Sequence, residues 1–87
     1  MVDEIRRWPG QNGIFKNGSC HLTTDGPLHE LHEFALRIGM RLSWFQDRRV
    51  PHYDLVPRRR VDALKAGAVF VPAKEQARAR RRREASP

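Results

Sequence analysis

The residues most able to carry chemistry in this sequence are His21, His52 and Asp54. An imidazole titrates near neutral pH and a carboxylate can fix its tautomer, which is the combination that general acid–base catalysis uses. The same side chains are ligands for divalent metal ions. The structural alternative is that His52 and Asp54 only hydrogen-bond backbone groups of a local turn. No motif of diagnostic spacing, such as H-E-x-x-H, C-x-x-C or a glycine-rich phosphate loop, decides between these interpretations.

Sequence spacing bears on whether the three side chains meet. His52 and Asp54 are two residues apart, so an extended segment directs them to one face and Tyr53 to the other. His21 lies in a separate short segment of strand character, residues 19–23. The three converge if both segments end at the same edge of a sheet, and on that condition we predict a catalytic or ligand-binding site.

Two neighbouring features have simpler explanations. Cys20 precedes His21, and an imidazole beside a thiolate can make a nucleophile. Adjacent residues of a strand point to opposite faces, however, so we predict that Cys20 is a buried structural residue. His32 falls within the apolar stripe of a predicted helix, where a histidine is typically a hydrogen-bonded part of the core.

The elements that position these residues form an alternating series. Apolar residues at helical spacing predict a first helix between Pro27 and Gly39 and a second from Pro57 to Gly67. Short apolar or alternating runs predict strands at residues 1–8, 19–23, 41–46, 52–55 and 68–71. The sequence therefore indicates an α/β domain, a small sheet of three to five short strands with two packed helices.

The predicted core draws on the same elements. The first helix gathers its apolar residues on one face, and the second aligns Val61 with Leu64. The large aromatic side chains are expected in this core, and Trp44 offers a stacking surface if it is exposed. They are Trp8, Trp44, Phe45 and Phe70.

Composition limits the class of protein. With 87 residues, 39% of them hydrophobic, the chain suits one small globular domain. No apolar run approaches the ~20 residues of a membrane span, and the first residues lack a secretory pattern. A single cysteine excludes an internal disulfide framework and a cysteine-rich zinc site. We therefore expect a cytoplasmic protein with no membrane contact.

Positive charge is concentrated toward the end of the sequence. The formal net charge is +7, and residues 73–87 combine six lysines or arginines with two glutamates. This segment has no apolar side chain larger than alanine. We expect residues 1–72 to form the compact domain and residues 73–87 to form a basic tail, helical or disordered, that buries nothing.

Clustered arginines predict attraction to phosphate, with binding that weakens as salt rises. The candidate nucleic-acid-binding residues are Arg58, Arg59, Arg60, Arg80, Arg81, Arg82 and Arg83, and Arg48 and Arg49 form a further basic pair. The alternative is that the arginines only keep the surface soluble. No helix-turn-helix or zinc-finger pattern is present, so sequence-specific readout of bases is not supported.

An ordered set of short motifs carries a family resemblance. The motifs are Cys20-His21-Leu22, residues 30–35 (ELHEFA), Ile38-Gly39, Trp44-Phe45-Gln46, residues 51–54 (PHYD) and Gly67-Ala68. Over roughly residues 1–72 the chain resembles a family of small bacterial and phage proteins of unknown function, DUF4031. The resemblance implies a domain boundary and no activity. This chain has Asp3-Glu4 where the family more often has two aspartates, and its arginine-rich tail looks like an individual addition.

Three functions are consistent with these observations. The first is a small accessory protein whose basic surface contacts nucleic acid or an acidic protein partner. The alternative is a small phosphoester hydrolase, or a metal- or nucleotide-binding protein, that uses His21, His52 and Asp54. A second alternative is a protein-interaction module. The sequence does not identify a cofactor, a substrate or an oligomeric state.

Overall fold

The computed structural model describes residues 1–7, Gly13 and residues 17–85. Within these residues, two strands and three α-helices follow one another in the order β1 (Cys20–Leu22), α1 (Leu28–Arg37), β2 (Tyr53–Leu55), α2 (Pro57–Lys65) and α3 (Ala73–Ala85), with a short 3-10 helix at Leu42–Trp44. The predicted α/β class is therefore confirmed. In this part of the chain, no helix has the length and apolar character needed to cross a membrane.

The two strands pair antiparallel and define two faces. Cys20 lies opposite Leu55, His21 opposite Asp54, and Leu22 opposite Tyr53. Cys20, Leu22, Tyr53 and Leu55 are all buried and form the centre of the core. Because side chains alternate along a strand, the intervening pair of His21 and Asp54 lies on the other face of the sheet.

The sheet is smaller than the three to five strands predicted. Among the described residues it has two strands, and Val2, Arg6, Gln46, His52 and Phe70 contribute only to isolated bridges. The first predicted strand does not continue because the Asp3 carboxylate, and not a backbone carbonyl, accepts the backbone N–H of His21 at 2.6 Å. Trp8, at the end of that prediction, lies outside the described residues.

The strand predicted at residues 41–46 is also wrong. Its middle residues form the 3-10 helix, in which Trp44 N donates to Arg41 O at 3.0 Å and Phe45 N donates to Leu42 O at 3.1 Å. These local bonds satisfy backbone groups that a strand would present to a neighbour. Trp44 is 46% exposed. It is therefore a surface residue and not part of the predicted core.

Both predicted helices are confirmed, with one difference in the face they bury. In α1, Leu31 and Ala35 are buried, and Gly39 follows the helix with a φ of 83°. In α2 the buried residue is Ala63, whereas Val61 is 49% exposed. Residues two apart on a helix lie about 200° apart, so burying Ala63 turns Val61 outward. The small Ala63 side chain lets α2 approach the core closely.

The arginine-rich segment is helical and is attached to the rest of the chain. Gln76 of α3 is only 5% exposed. It accepts a hydrogen bond from Thr23 Oγ1 at 2.6 Å and donates one to Val71 O at 2.8 Å. The expectation that this segment buries nothing is wrong, because it considers only apolar side chains and a polar residue makes the contact. The division of the chain at residue 72 stays a prediction.

Aromatic and histidine side chains complete the core. His32 Nδ1 lies 2.8 Å from the hydroxyl of the buried Tyr53, which is the structural role predicted for His32. Phe45 is partly buried against the same cluster, and its ring centroid lies 4.6 Å from that of His32. Phe70 is 47% exposed, so its predicted core position is wrong.

Candidate functional site

The structure brings His21, His52 and Asp54 together. Asp54 faces His21 across the two strands, and His52 lies just before β2, where it forms a bridge with Gln46. Asp54 Oδ1 lies 3.5 Å from His52 Nε2 and 3.9 Å from His21 Nε2. One potential ligand atom from each residue lies within 4.8 Å of the others, so small side-chain rotations would bring all three to a single divalent ion. The three side chains come together on one face of the sheet, where His21 and Asp54 are the middle residues of their strands, and not at the shared sheet edge expected from the sequence.

The orientation of His52 is fixed through its second nitrogen. Its Nδ1 lies 2.8 Å from Val50 O, which can only accept a hydrogen bond, so Nδ1 carries the proton. In the neutral ring Nε2 then keeps a free lone pair, directed toward Asp54. The turn contact expected from the structural alternative therefore exists, and it leaves the other nitrogen available for a ligand.

Asp3 fixes His21 in the same way. Its Oδ2 lies 2.8 Å from His21 Nδ1, and its Oδ1 accepts the backbone N–H of the same residue at 2.6 Å. Asp3 has a side chain only 5% exposed, and it is absent from the set predicted from sequence. The available signal was a carboxylate placed next to Val2 in a segment of strand character.

The contact between Asp3 and His21 shifts both titrations. Burial raises the pKa of Asp3, but hydrogen bonds from the His21 side chain and backbone outweigh it and hold that pKa below its usual value. The hydrogen bond to Asp3 raises the pKa of His21 despite partial burial, and the negative charges of Asp3 and Asp54 act in the same direction. The pair therefore behaves as a carboxylate bound to an imidazole N–H.

Asp54 has its own supporting residue. Gln46 Nε2 donates a hydrogen bond to Asp54 Oδ2, which leaves Oδ1 toward the two imidazoles. The backbone of Gln46 also pairs with that of His52, with N–O distances of 2.9 and 3.1 Å. Each of the three candidate ligands is thus oriented by one further group, as is usual for ligands of protein-bound metals.

His21 and His52 also line a cavity of about 280 Å³. Arg48 and Arg49 contribute from the segment before β2, and Arg80 contributes from α3. Guanidinium groups present paired N–H donors that match the oxygens of phosphate. The cavity therefore combines two imidazoles with a cationic wall suited to a phosphate group.

The other arginines predicted to bind nucleic acid are placed differently. Arg59 donates to Ile38 O at 2.8 Å, and Arg60 Nε donates to Asp3 O at 3.1 Å while lying over the Phe70 ring. These two side chains connect parts of the fold. The remaining predicted arginines are exposed, and all but the first lie on α3: Arg58, Arg81, Arg82 and Arg83.

Cys20 takes no part in the site. The residue is 1% exposed, and burial raises the pKa of its thiol to about 12, with the negative charge of Asp3 as a smaller cause. The thiol is therefore protonated at neutral pH, and a protonated buried thiol is a poor nucleophile. The prediction of a buried structural cysteine agrees with this burial.

Two imidazoles and one carboxylate supply three ligands, so a four-coordinate ion would keep one coordination position open. Zinc sites that perform catalysis keep three protein ligands and leave the fourth position for water or substrate. Two histidines and one carboxylate also bind other divalent transition metals with open positions. The arrangement suits a reactive metal centre better than a closed structural one.

Comparison with known proteins gave one match. A family model described as "Protein of unknown function (DUF4031)" matches residues 1–83. The match extends past residue 72, into α3, so the family domain includes most of the segment that the sequence suggested was an addition. No curated protein and no solved structure matched the chain.

Proposed function

The chain belongs to the family of unknown function DUF4031, and we propose that it is a divalent-metal-dependent hydrolase of phosphoesters. The observation that supports this most directly is the arrangement of His21, His52 and Asp54. Both imidazoles are held through Nδ1, so that both Nε2 atoms and Asp54 Oδ1 face one another beside the arginine-lined cavity.

The surroundings of the cluster favour a reactive centre over a structural one. The side chain of His21 is 45% exposed and that of Asp54 is 30% exposed, so a substrate can reach the ligand atoms. The fold also has a core of its own, centred on Leu22, Tyr53 and Leu55, and does not need a metal to hold the strands together. An ion on this face of the sheet would add chemistry to a preformed scaffold.

The proposed reaction is hydrolysis at phosphorus. A divalent ion held by His21, His52 and Asp54 would lower the pKa of a coordinated water toward neutrality and would polarise a phosphoryl oxygen. In the hydrolysis, a water oxygen would form a new bond to phosphorus as the ester P–O bond breaks. The water's proton passes to solvent, and the departing alkoxide takes a proton from solvent, so atoms and charge balance.

The residues of this chain have three separate roles in the proposed reaction. His21, His52 and Asp54 bind the ion, while Asp3 and Gln46 are positioning residues that keep the ligand atoms directed inward. The arginines of the cavity wall bind the phosphate and stabilise the negative charge that its oxygens carry in the transition state.

A second candidate function is contact with nucleic acid that involves no chemistry. It is supported by the exposed arginines of α3, among them Arg81 and Arg83. In this case the protein would be an accessory factor, in the cytoplasm, whose basic surface binds a nucleic acid or an acidic protein. Hydrolysis separates the two candidates because only the first requires the metal cluster.

The test combines metal binding with hydrolysis. Isothermal titration of the full chain with Zn²⁺ and Mn²⁺ should give one site, and the loaded protein should hydrolyse bis(p-nitrophenyl) phosphate. We expect His52→Gln and Asp54→Asn each to lower metal affinity and hydrolysis at least about 100-fold. The control is His29→Gln, at an exposed position of α1, which removes an imidazole elsewhere on the surface.

Two outcomes would overturn the proposal. One is a wild-type protein that binds neither ion under conditions where circular dichroism shows it folded. The other is an equal loss of metal binding in His29→Gln and His52→Gln, which would mean that surface histidines bind the ion without a built site.

A further inference from the structure

We propose that the substrate is a single-stranded nucleic acid, whose backbone runs from the metal cluster along α3 in a groove lined by Arg49, Arg80 and Arg81. This inference rests on the proposed hydrolase function and names its substrate class. A small phosphoester would need only the cavity beside the histidines. The cationic surface extends beyond this cavity and continues along α3.

The groove consists of two adjoining cavities. The first is the cavity of about 280 Å³ that His21 and His52 line. The second, of about 300 Å³, lies farther along α3. Arg49, Val50 and Arg80 form walls of both, so the second begins where the first ends.

One face of α3 forms the floor of this groove. The α3 residues that line the two cavities are Ala73, Gln76, Ala77, Arg80, Arg81 and Glu84. Their spacing of three, one, three, one and three places them in a single stripe along the helix. Two of them are alanines, whose small side chains leave room for a ligand above the helix. The two arginines follow them toward the C-terminal end of the helix. A stripe of this kind suits an extended ligand.

The length of the stripe sets the size of the ligand. From Ala73 to Glu84 the helix rises about 16 Å, at 1.5 Å per residue. At the ~3.4 Å rise per nucleotide of a stacked strand, this corresponds to about four or five nucleotides. Glu84 places a carboxylate at the far end, where it opposes further phosphates. Affinity should therefore increase with strand length up to about five nucleotides and then level off.

The groove fits a single strand better than a duplex. Each cavity is close to the lower end of the size range for small-molecule sites, which is roughly 300–1,000 Å³. That space accommodates a nucleotide, and a duplex would have to remain outside, away from the histidines. A single strand can also turn its phosphates toward the arginines one at a time.

The arginines give the binding a defined salt dependence. Neutralising three phosphates of a single strand gives a slope of about −2 for log K against log salt. Affinity should then fall about 20-fold between 50 and 200 mM salt. Removing one arginine should reduce the slope by about 0.7 and the fall to about 7-fold.

The experiment measures strand binding by the full chain apart from catalysis. Fluorescence anisotropy in EDTA, where hydrolysis cannot proceed, uses labelled oligothymidylates of two, four and eight nucleotides, with oligouridylates of the same lengths as the RNA arm. The test variant is Arg81→Gln. The matched control is Arg58→Gln, which removes the same charge from an exposed position on α2, outside both cavities.

We expect the eight-nucleotide strand to bind at least about tenfold more tightly than the dinucleotide, and Arg81→Gln to reduce both its affinity and its salt slope. Equal affinity at all lengths, or the same loss in Arg58→Gln as in Arg81→Gln, would overturn the inference. Metal titration of the wild type remains independent of this result. A protein that binds metal and hydrolyses the small diester but ignores strand length would retain the proposed function and lose this substrate class.

Discussion

The attachment of α3 to the rest of the fold can be tested at a single side chain. Gln76 makes the buried hydrogen bond to Thr23 Oγ1, at 2.6 Å, and a second bond to Val71 O, at 2.8 Å. The substitution Gln76→Ala removes both bonds. It also leaves the Thr23 hydroxyl, in a residue only 6% exposed, without its partner.

The expected cost follows from these contacts. A net hydrogen bond contributes about 1 kcal/mol, and an unsatisfied buried hydroxyl costs about 1–3 kcal/mol. We expect Gln76→Ala to lower the free energy of unfolding by about 2–3 kcal/mol. For a domain of this size that corresponds to a fall in Tm of about 10–20 °C.

The assay is thermal unfolding followed by circular dichroism, with Lys74→Ala as the control at an exposed position of the same helix. The double variant Thr23→Val/Gln76→Leu removes both side chains of the buried Thr23–Gln76 hydrogen bond and should recover part of the lost stability, since no buried hydroxyl or amide is then left unpaired and only Val71 O loses its donor. A Tm for Gln76→Ala within about 2 °C of wild type would refute the reasoning. It would mean that α3 is held by something other than this contact.

Two further predictions concern titratable groups at the site and beside it. The lowered pKa of Asp3 adds stability that is present above its unfolded pKa of 3.8 and is lost as pH falls through the folded pKa. The raised pKa of His21 adds stability that is present below its unfolded pKa of 6.5 and is lost as pH rises through the folded pKa. Denaturant titrations of metal-free protein should therefore show the largest contribution of the Asp3–His21 pair to the free energy of unfolding between about pH 4 and 6.5. We expect Asp3→Asn to flatten this pH profile, and an unchanged profile in the variant would contradict the assignment. The Cys20 thiol, with its pKa raised to about 12 by burial, should not react with a disulfide reagent at pH 8 in the folded protein and should react fully in denaturant. Rapid labelling of the native protein would show that the thiol is accessible.

The sequence was most informative where a local pattern dominates. The apolar spacing of α1 and the proline at the start of α2 identify both helices, and the alternation around Tyr53 identifies the face that carries His52 and Asp54. The strand predicted at residues 41–46 is wrong for the opposite reason. Its alternation of apolar and polar residues is equally compatible with a 3-10 helix that has internal hydrogen bonds, and among the described residues no strand pairs with Leu42–Trp44 to favour the extended form.

The parts of the site that escaped prediction depend on distant contacts. Asp3 and His21 are 18 residues apart and meet only because their segments lie side by side in the fold. Arg80 reaches the cavity because Gln76, one helical turn earlier, is fixed to Thr23 across 53 residues of sequence. A hydrogen bond between two neutral polar side chains, such as Thr23 and Gln76, produces no periodic pattern in the sequence. A charge-rich segment that is attached by one such bond therefore has the same sequence pattern as an unattached tail.

The register of the two strands connects the proposed chemistry of this protein to its stability. A shift of one residue in the pairing would turn Cys20 and Leu22 outward and bring His21 into the apolar interior. The same hydrophobic preference that keeps Leu55 and Tyr53 inside therefore sets the spacing of the imidazoles and the carboxylate on the outer face. Selection for a well-packed interior would preserve the geometry of the outer cluster, and a chain that reaches its native core has already assembled the atoms of the proposed ion-binding site.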